Sequence, residues 1–154
     1  KLGDSLDPVY ESMDVPYAYY TVLKGKEIIG RVHGVNQKGK FGGLQLILAT
    51  DTNGVIKGFY YQRILSPEPD SFKSEEFTSQ FVELDLSDFY TYRISSGDES
   101  DHSKIGQIKD PSRGSSEDFK ATLRGIMKNL ILLDIFMLDR MHDKKTPKEE
   151  KNEK

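Results

Sequence analysis

Cysteine and tryptophan are both absent from this chain of 154 residues. Without cysteine there are no disulfides, thiolate metal sites, iron–sulfur clusters or cysteine nucleophiles. The compartment stays open, because a cysteine-free domain suits either redox environment. Histidine is scarce, and His33, His102 and His142 show no i, i+4 ligand spacing, which speaks against zinc. No apolar stretch reaches the ~18 residues of a membrane-spanning helix. Positive charge is not in excess: 22 Lys and Arg against 25 Asp and Glu leave −3, with a pI near 5.7. A dedicated nucleic-acid binder is usually strongly basic. Several motifs are also missing. There is no Gly-x-Ser-x-Gly, so no catalytic triad can be nominated. The dinucleotide-binding glycine fingerprint and the P-loop are absent. Asp98-Glu99-Ser100-Asp101 lacks the glycine and closing glutamate of a calcium loop. With Glu83, Asp85 and Asp88, these acids read as solvated surface; a two-carboxylate hydrolase would need a pair facing one cleft.

What is present suits one soluble domain with tails. Apolar residues are 36% and charged residues 31%, the latter above the usual ~25%. Residues 1–16 are an acidic lead-in, with a short helix expected from Pro8 to Met13 behind an Asp7 cap. The middle reads as β. Strands are expected over Tyr17–Leu23, Ile28–Val35, Leu44–Thr50 and Val55–Ile64, around a Lys-Gly-Lys turn, a Gly/Lys loop over 36–43 and an Asn53-Gly54 hairpin. Short turns between them predict an antiparallel meander. Ser66-Pro67-Glu68-Pro69-Asp70 breaks the sheet. A short helix opens at Ser74 and runs through Phe81, and Tyr90–Ile94 is a candidate further strand. The clearest element is a C-terminal helix capped by Ser115 or Ser116, with Phe119, Leu123, Ile126, Leu130 and Leu133 on one face. Its segment Leu130–Leu138 has one polar residue, Asp134, and reads either as a buried helix end or as a partner or membrane-surface contact. Residues 143–154 read as a charged, disordered tail. The expected class is therefore α+β: an antiparallel meander against a long C-terminal helix, with one or two short helices.

Two segments have the chemistry to hold an anion. In Lys38-Gly39-Lys40-Phe41-Gly42-Gly43, glycines let backbone amides approach a ligand and lysines add charge. Ser112-Arg113-Gly114-Ser115-Ser116 precedes the long helix, whose N-terminal amides and dipole favour phosphate. Each alone reads more readily as an ordinary loop and an ordinary cap.

Taken in order, the pieces resemble the FMN-binding domain of the C subunit of the sodium-translocating NADH–quinone reductase and the G subunit of the Rnf electron-transport complex. The resemblance runs from Tyr17-Ala18-Tyr19-Tyr20 through Lys40-Phe41-Gly42-Gly43, Asp51, Asn53-Gly54-Val55-Ile56-Lys57-Gly58, the Ser66–Phe72 loop and Gln80-Phe81 to Pro111-Ser112-Arg113-Gly114-Ser115-Ser116. It implies an extracytoplasmic domain of a membrane-associated redox complex, tethered by an N-terminal segment outside this chain. It also implies an electron-transfer role with FMN as cofactor. The ring would lie near Phe41, Gly42 and Gly43, and the phosphate near Arg113, Gly114, Ser115 and Ser116. Tyr61 and Arg63 are further candidates from strand parity. The family attaches FMN through a threonine ester. Here that position is Arg113 if the serine pairs coincide, or Ser115 if Ser112–Ser115 is the matching quartet. Arg113 cannot form the ester but could hold a phosphate by paired hydrogen bonds. A non-covalent flavin is therefore the expected form. The alternative is a flavin-less relative serving as a binding or assembly module of a cell-envelope complex.

Overall fold

The computed structural model describes residues 17–90, 92, 103–114 and 116–142. The expected helix at Pro8–Met13, the tail at 143–154, His102, Ser115 and the acids at 98–101 lie outside them. Four strands form one antiparallel sheet in sequence order: β1 (Ala18–Lys24), β2 (Glu27–Lys38), β3 (Gly43–Thr50) and β4 (Ile56–Ile64). Alternation sets the register. Leu44, Leu46 and Leu48 of β3 are buried, opposite Gln37, Val35 and His33 of β2. The β3–β4 turn is held by Asp51, whose Oδ1 accepts from the amides of Asn53 (2.9 Å) and Val55 (3.0 Å). Gly54 sits there at φ +86°, a conformation glycine adopts freely.

Among the described residues, the helices that follow are α1 (Pro69–Lys73), α2 (Glu75–Thr78), α3 (Leu86–Tyr90) and α4 (Ser116–Met137). The architecture is α+β, as the sequence pattern predicts. A 3₁₀ turn over Ser79–Phe81 continues α2, and Ser74 caps α2 by accepting from the Phe77 amide. Two details depart from expectation. The Pro-rich break runs directly into α1, because Pro69 occupies a first-turn position where no amide is required. Of the candidate strand Tyr90–Ile94, Tyr90 closes α3, and residues 91, 93 and 94 lie outside the described residues. A reciprocal cap fixes α3: the Ser87 amide donates to Asp85 Oδ1 (2.8 Å) and the Asp85 amide to Asp88 Oδ2 (3.0 Å).

Helix α4 crosses β2 and β3 on one face of the sheet, burying Phe119, Leu123, Ile126, Leu130 and Leu133. The short helices fill the β4 side with Phe72, Phe77, Phe81 and Phe89. Ile105 and Ile108 add to this core, and the Lys109 amide ties their segment to Gln80 Oε1 (2.8 Å).

One buried polar network joins helix to sheet. His33 Nδ1 lies 2.8 Å from Asn129 Oδ1, and Nε2 lies 3.2 Å from Thr50 Oγ1. The Asn129 amide donates to the His33 carbonyl, so its Oδ1 accepts and the Nδ1–H tautomer is assigned. Burial is the main cause holding the His33 pKa below its ordinary value; the Asn129 bond opposes it and the Arg31 charge adds to it. The unfolded chain thus takes up this proton first as pH falls. The His33 contribution to stability is complete above about pH 6.5 and is lost on acidification below it. Urea midpoints should drop between about pH 7 and pH 5, and drop less in His33→Gln. Equal drops in both proteins would assign the acid sensitivity elsewhere.

Candidate functional site

Three segments meet at the start of α4. The first is the β2–β3 turn, closed by a bond from the Gly39 amide to the Gly42 carbonyl (2.8 Å). Gly42 has φ +146°, and a Cβ there would lie 2.5 Å from Leu65 Cδ1. Phe41 is half-exposed at the tip, with Lys40 Nζ 5.6 Å from its ring centre. Gly43 begins β3 with open space where a side chain would be.

The second segment, Leu65–Glu68, lies between that turn and the third. Leu65 touches Gly42, and Glu68 Oε2 accepts from the Arg113 amide (2.8 Å). The Arg113 guanidinium is almost wholly exposed, its Nε 3.8 Å from Glu68 Oε1. Gly114 is open and exposed, and Ser116 is the first residue of α4. Ser112 donates from both its amide and its hydroxyl to Asp110 Oδ1.

The third is the first turn of α4. Asp118 is buried, and its Oδ1 accepts from the Lys40 amide at 2.7 Å. Gly39 lets the turn come this close, since a Cβ there would lie 2.7 Å from the same oxygen. Asp118 Oδ2 is buried with no donor among the described residues. Lys40 Nζ also stands 3.8 Å from Glu117, an exposed pair worth well under about 1 kcal/mol.

The structure links the turn that carries Phe41, Gly42 and Gly43 to the first turn of α4 through the Lys40–Asp118 bond, and to Leu65 through Gly42; Arg113 is held by Glu68 of that same Leu65–Glu68 segment. It also supplies Glu68 and Asp118, which sequence reading passed over. Asp118 reads as an ordinary dipole-compensating acid in a first helical turn. Glu68 is hidden between two prolines, and its partner is distant in sequence. The chain's own carboxylates engage donors here: Glu68 takes the Arg113 amide, Asp110 takes Ser112, and Asp118 takes the Lys40 amide. Those donors are thereby less available to a phosphate.

Tyr61 and Arg63 do not join this site. The β3–β4 register shifts between Gln45 and Leu46, so Tyr61 pairs with Leu46 and Arg63 with Gln45, on opposite faces. Tyr61 is buried against Phe59 and Phe72. Its hydroxyl donates to Thr122 Oγ1 (2.7 Å), which donates to the Asp118 carbonyl (2.8 Å). Burial pushes the Tyr61 pKa up. Within the Leu130–Leu138 run, Leu130, Ile131, Leu133 and Asp134 are buried. His142 Nδ1 lies 2.8 Å from Asp134 Oδ1, holding the chain after α4 against the helix. Phe136 is the exposed apolar residue of the run, and it stacks on Tyr17.

Among the described residues no group of His, Asp or Glu could hold a metal ion, and no helix is long and apolar enough to cross a membrane. No protein-family profile, curated protein or solved structure matches this chain.

Proposed function

We propose that this chain is a domain of the FMN-binding type that works as a binding and assembly module, without holding a flavin nucleotide. The family and its setting, an extracytoplasmic, membrane-associated complex of the cell envelope, rest on the ordered motifs between Tyr17 and Ser116. The loss of flavin rests on one observation. Two backbone amides of the segments expected to hold FMN each donate to a carboxylate of the chain itself: Lys40, beside the expected ring position, to Asp118, and Arg113, at the expected phosphate position, to Glu68. An incoming phosphate would have to displace Glu68 and approach a buried carboxylate, so charge and hydrogen-bonding capacity both oppose it.

A second reading, a non-covalent FMN carrying electrons, is favoured by a different observation: the glycine turn, the half-exposed Phe41 and the helix start do adjoin one another. The visible absorption spectrum separates the two. The purified chain is expected to be colourless, and titration with FMN should leave the flavin spectrum and fluorescence unchanged. Yellow colour released by acid, or a saturable change on adding FMN, would overturn the flavin-less reading and give Arg113 its phosphate role. Colour retained in the acid precipitate would overturn it too and point to an ester at Ser115.

A further inference from the structure

We propose that β1 is a self-pairing edge: two copies of this chain join β1 to β1, antiparallel about a two-fold axis at Thr21, making one continuous sheet. The proposal does not depend on whether a flavin is bound.

Among the described residues β1 has one partner, β2, and each of its seven residues is exposed. Its outer edge therefore presents unpaired backbone groups along ~23 Å. Proteins usually blunt such an edge with proline, bulges, inward charges or short strands. The sequence Ala-Tyr-Tyr-Thr-Val-Leu-Lys carries none of these except the terminal Lys24. The irregularity of the hairpin lies on β2: Val22 pairs with Gly30 and Leu23 with Ile28, so the extra residue is Ile29 and β1 stays regular. Tyr19, Thr21 and Leu23 thus share the α4 face, while Ala18, Tyr20 and Val22 share the opposite one.

The strand is complementary to itself. Antiparallel pairing about Thr21 sets Tyr20 opposite Val22 of the second copy on one face and Tyr19 opposite Leu23 of the second copy on the other. Aromatic–β-branched pairs of this kind favour pairing. Ala18 faces Lys24 of the second copy, so no like charges meet. Centring on Tyr20 or Val22 would leave residues of the strand unpaired. A one-residue slip would turn one copy's α4 to the opposite face.

The four side chains concerned are exposed apolar surface now: Tyr19 42%, Tyr20 71%, Val22 36% and Leu23 57%. On ordinary side-chain areas, with aromatics at ~150–250 Å², both copies together would cover roughly 800 Å², below the ~1,200–2,000 Å² of stable specific interfaces and in the range of weak, transient ones. A weak dimer, forming at micromolar concentrations and above, is the expected state.

The absence of cysteine makes the test direct. Thr21→Cys adds the only thiol to the full chain. Directly opposite residues of antiparallel strands have Cα atoms ~4.5–5.5 Å apart, within disulfide range. Mild oxidation should lock Thr21→Cys as a covalent dimer and leave Glu76→Cys, on the exposed side of α2, monomeric. Light scattering of the unmodified chain should show mass rising toward a dimer through the micromolar range. Thr21→Glu, which sets two carboxylates against each other at the axis, should weaken dimerisation roughly tenfold while the circular dichroism stays native. A monomer at every concentration would overturn the proposal. A dimer that Thr21→Cys fails to lock would overturn it as well, placing the contact on another surface.

Discussion

Replacing Phe77 with alanine should lower the unfolding free energy by about 3–5 kcal/mol, a large share of the ~5–15 kcal/mol of an ordinary domain. Phe77 is 2% exposed and meets three rings edge-on: Phe72 (5.6 Å), Phe81 (5.3 Å) and Phe119 (6.1 Å). Those rings belong to α1, the 3₁₀ turn and α4, so one side chain joins three elements. Helices as short as α1 and α2 have no independent stability and persist through tertiary packing. The truncation removes transfer energy and leaves a void that rings held by their neighbours cannot fill. Urea unfolding followed by far-ultraviolet circular dichroism measures the loss. Phe77→Leu, which keeps most of the volume, should cost under about 1.5 kcal/mol. Equal and small effects of both substitutions would mean that the α1–α2 region is loosely packed. The site would then be loosely held too, because α1 follows directly on Leu65–Glu68, which meet Gly42 and Arg113.

The same residues show why some of this was legible in the sequence and some was not. Strands β3 and β4 announce themselves because Leu44, Leu46 and Leu48 alternate with less buried residues and Asn53-Gly54 marks the turn. Helix α4 is plain because Phe119, Leu123, Ile126, Leu130 and Leu133 recur at helical spacing. Strand parity failed at Tyr61 and Arg63, where a register shift that no local composition signals puts neighbours on opposite faces. Helix α1 escaped because a proline that ends a sheet is also a good first residue of a helix. The turn and the helix start were each recognisable as segments with anion-binding chemistry. Their contents were not. Whether an amide awaits a ligand or is already satisfied depends on long-range partners, Glu68 for Arg113 and Asp118 for Lys40. The exposure of β1 is equally invisible in its sequence: Tyr, Thr and Val mark a strand, and only the sheet order puts that strand at an edge.

The second large effect is expected at Gly125, where α4 comes closest to the sheet. A Cβ on Gly125 would lie 2.1 Å from Leu46 Cδ1 and 3.1 Å from Gln37 Cβ. In an exposed helix, Gly→Ala stabilises by about 1 kcal/mol. Here Leu46 and Gln37 are both buried, so neither can yield into solvent. Overpacking costs about 1–3 kcal/mol and should win, giving a net loss for Gly125→Ala and unfolding for Gly125→Val. The cause can be isolated. Leu46→Ala alone should cost about 2–5 kcal/mol. Adding Gly125→Ala to it should restore stability, because the new methyl fills vacated space. The double-mutant cycle should therefore show favourable coupling of about 1–3 kcal/mol. The position of α4 matters beyond stability. Asp118 lies two turns before Gly125 and Asn129 one turn after, and they anchor the β2–β3 turn and His33 respectively. Lifting the helix at Gly125 should loosen both, so hydrogen exchange at the Lys40 amide should quicken in Gly125→Ala. A gain in stability from Gly125→Ala in the unaltered chain would show that Leu46 turns aside without cost. The helix-to-sheet spacing, and with it the carboxylate at the Lys40 amide, would then be set elsewhere than at this glycine.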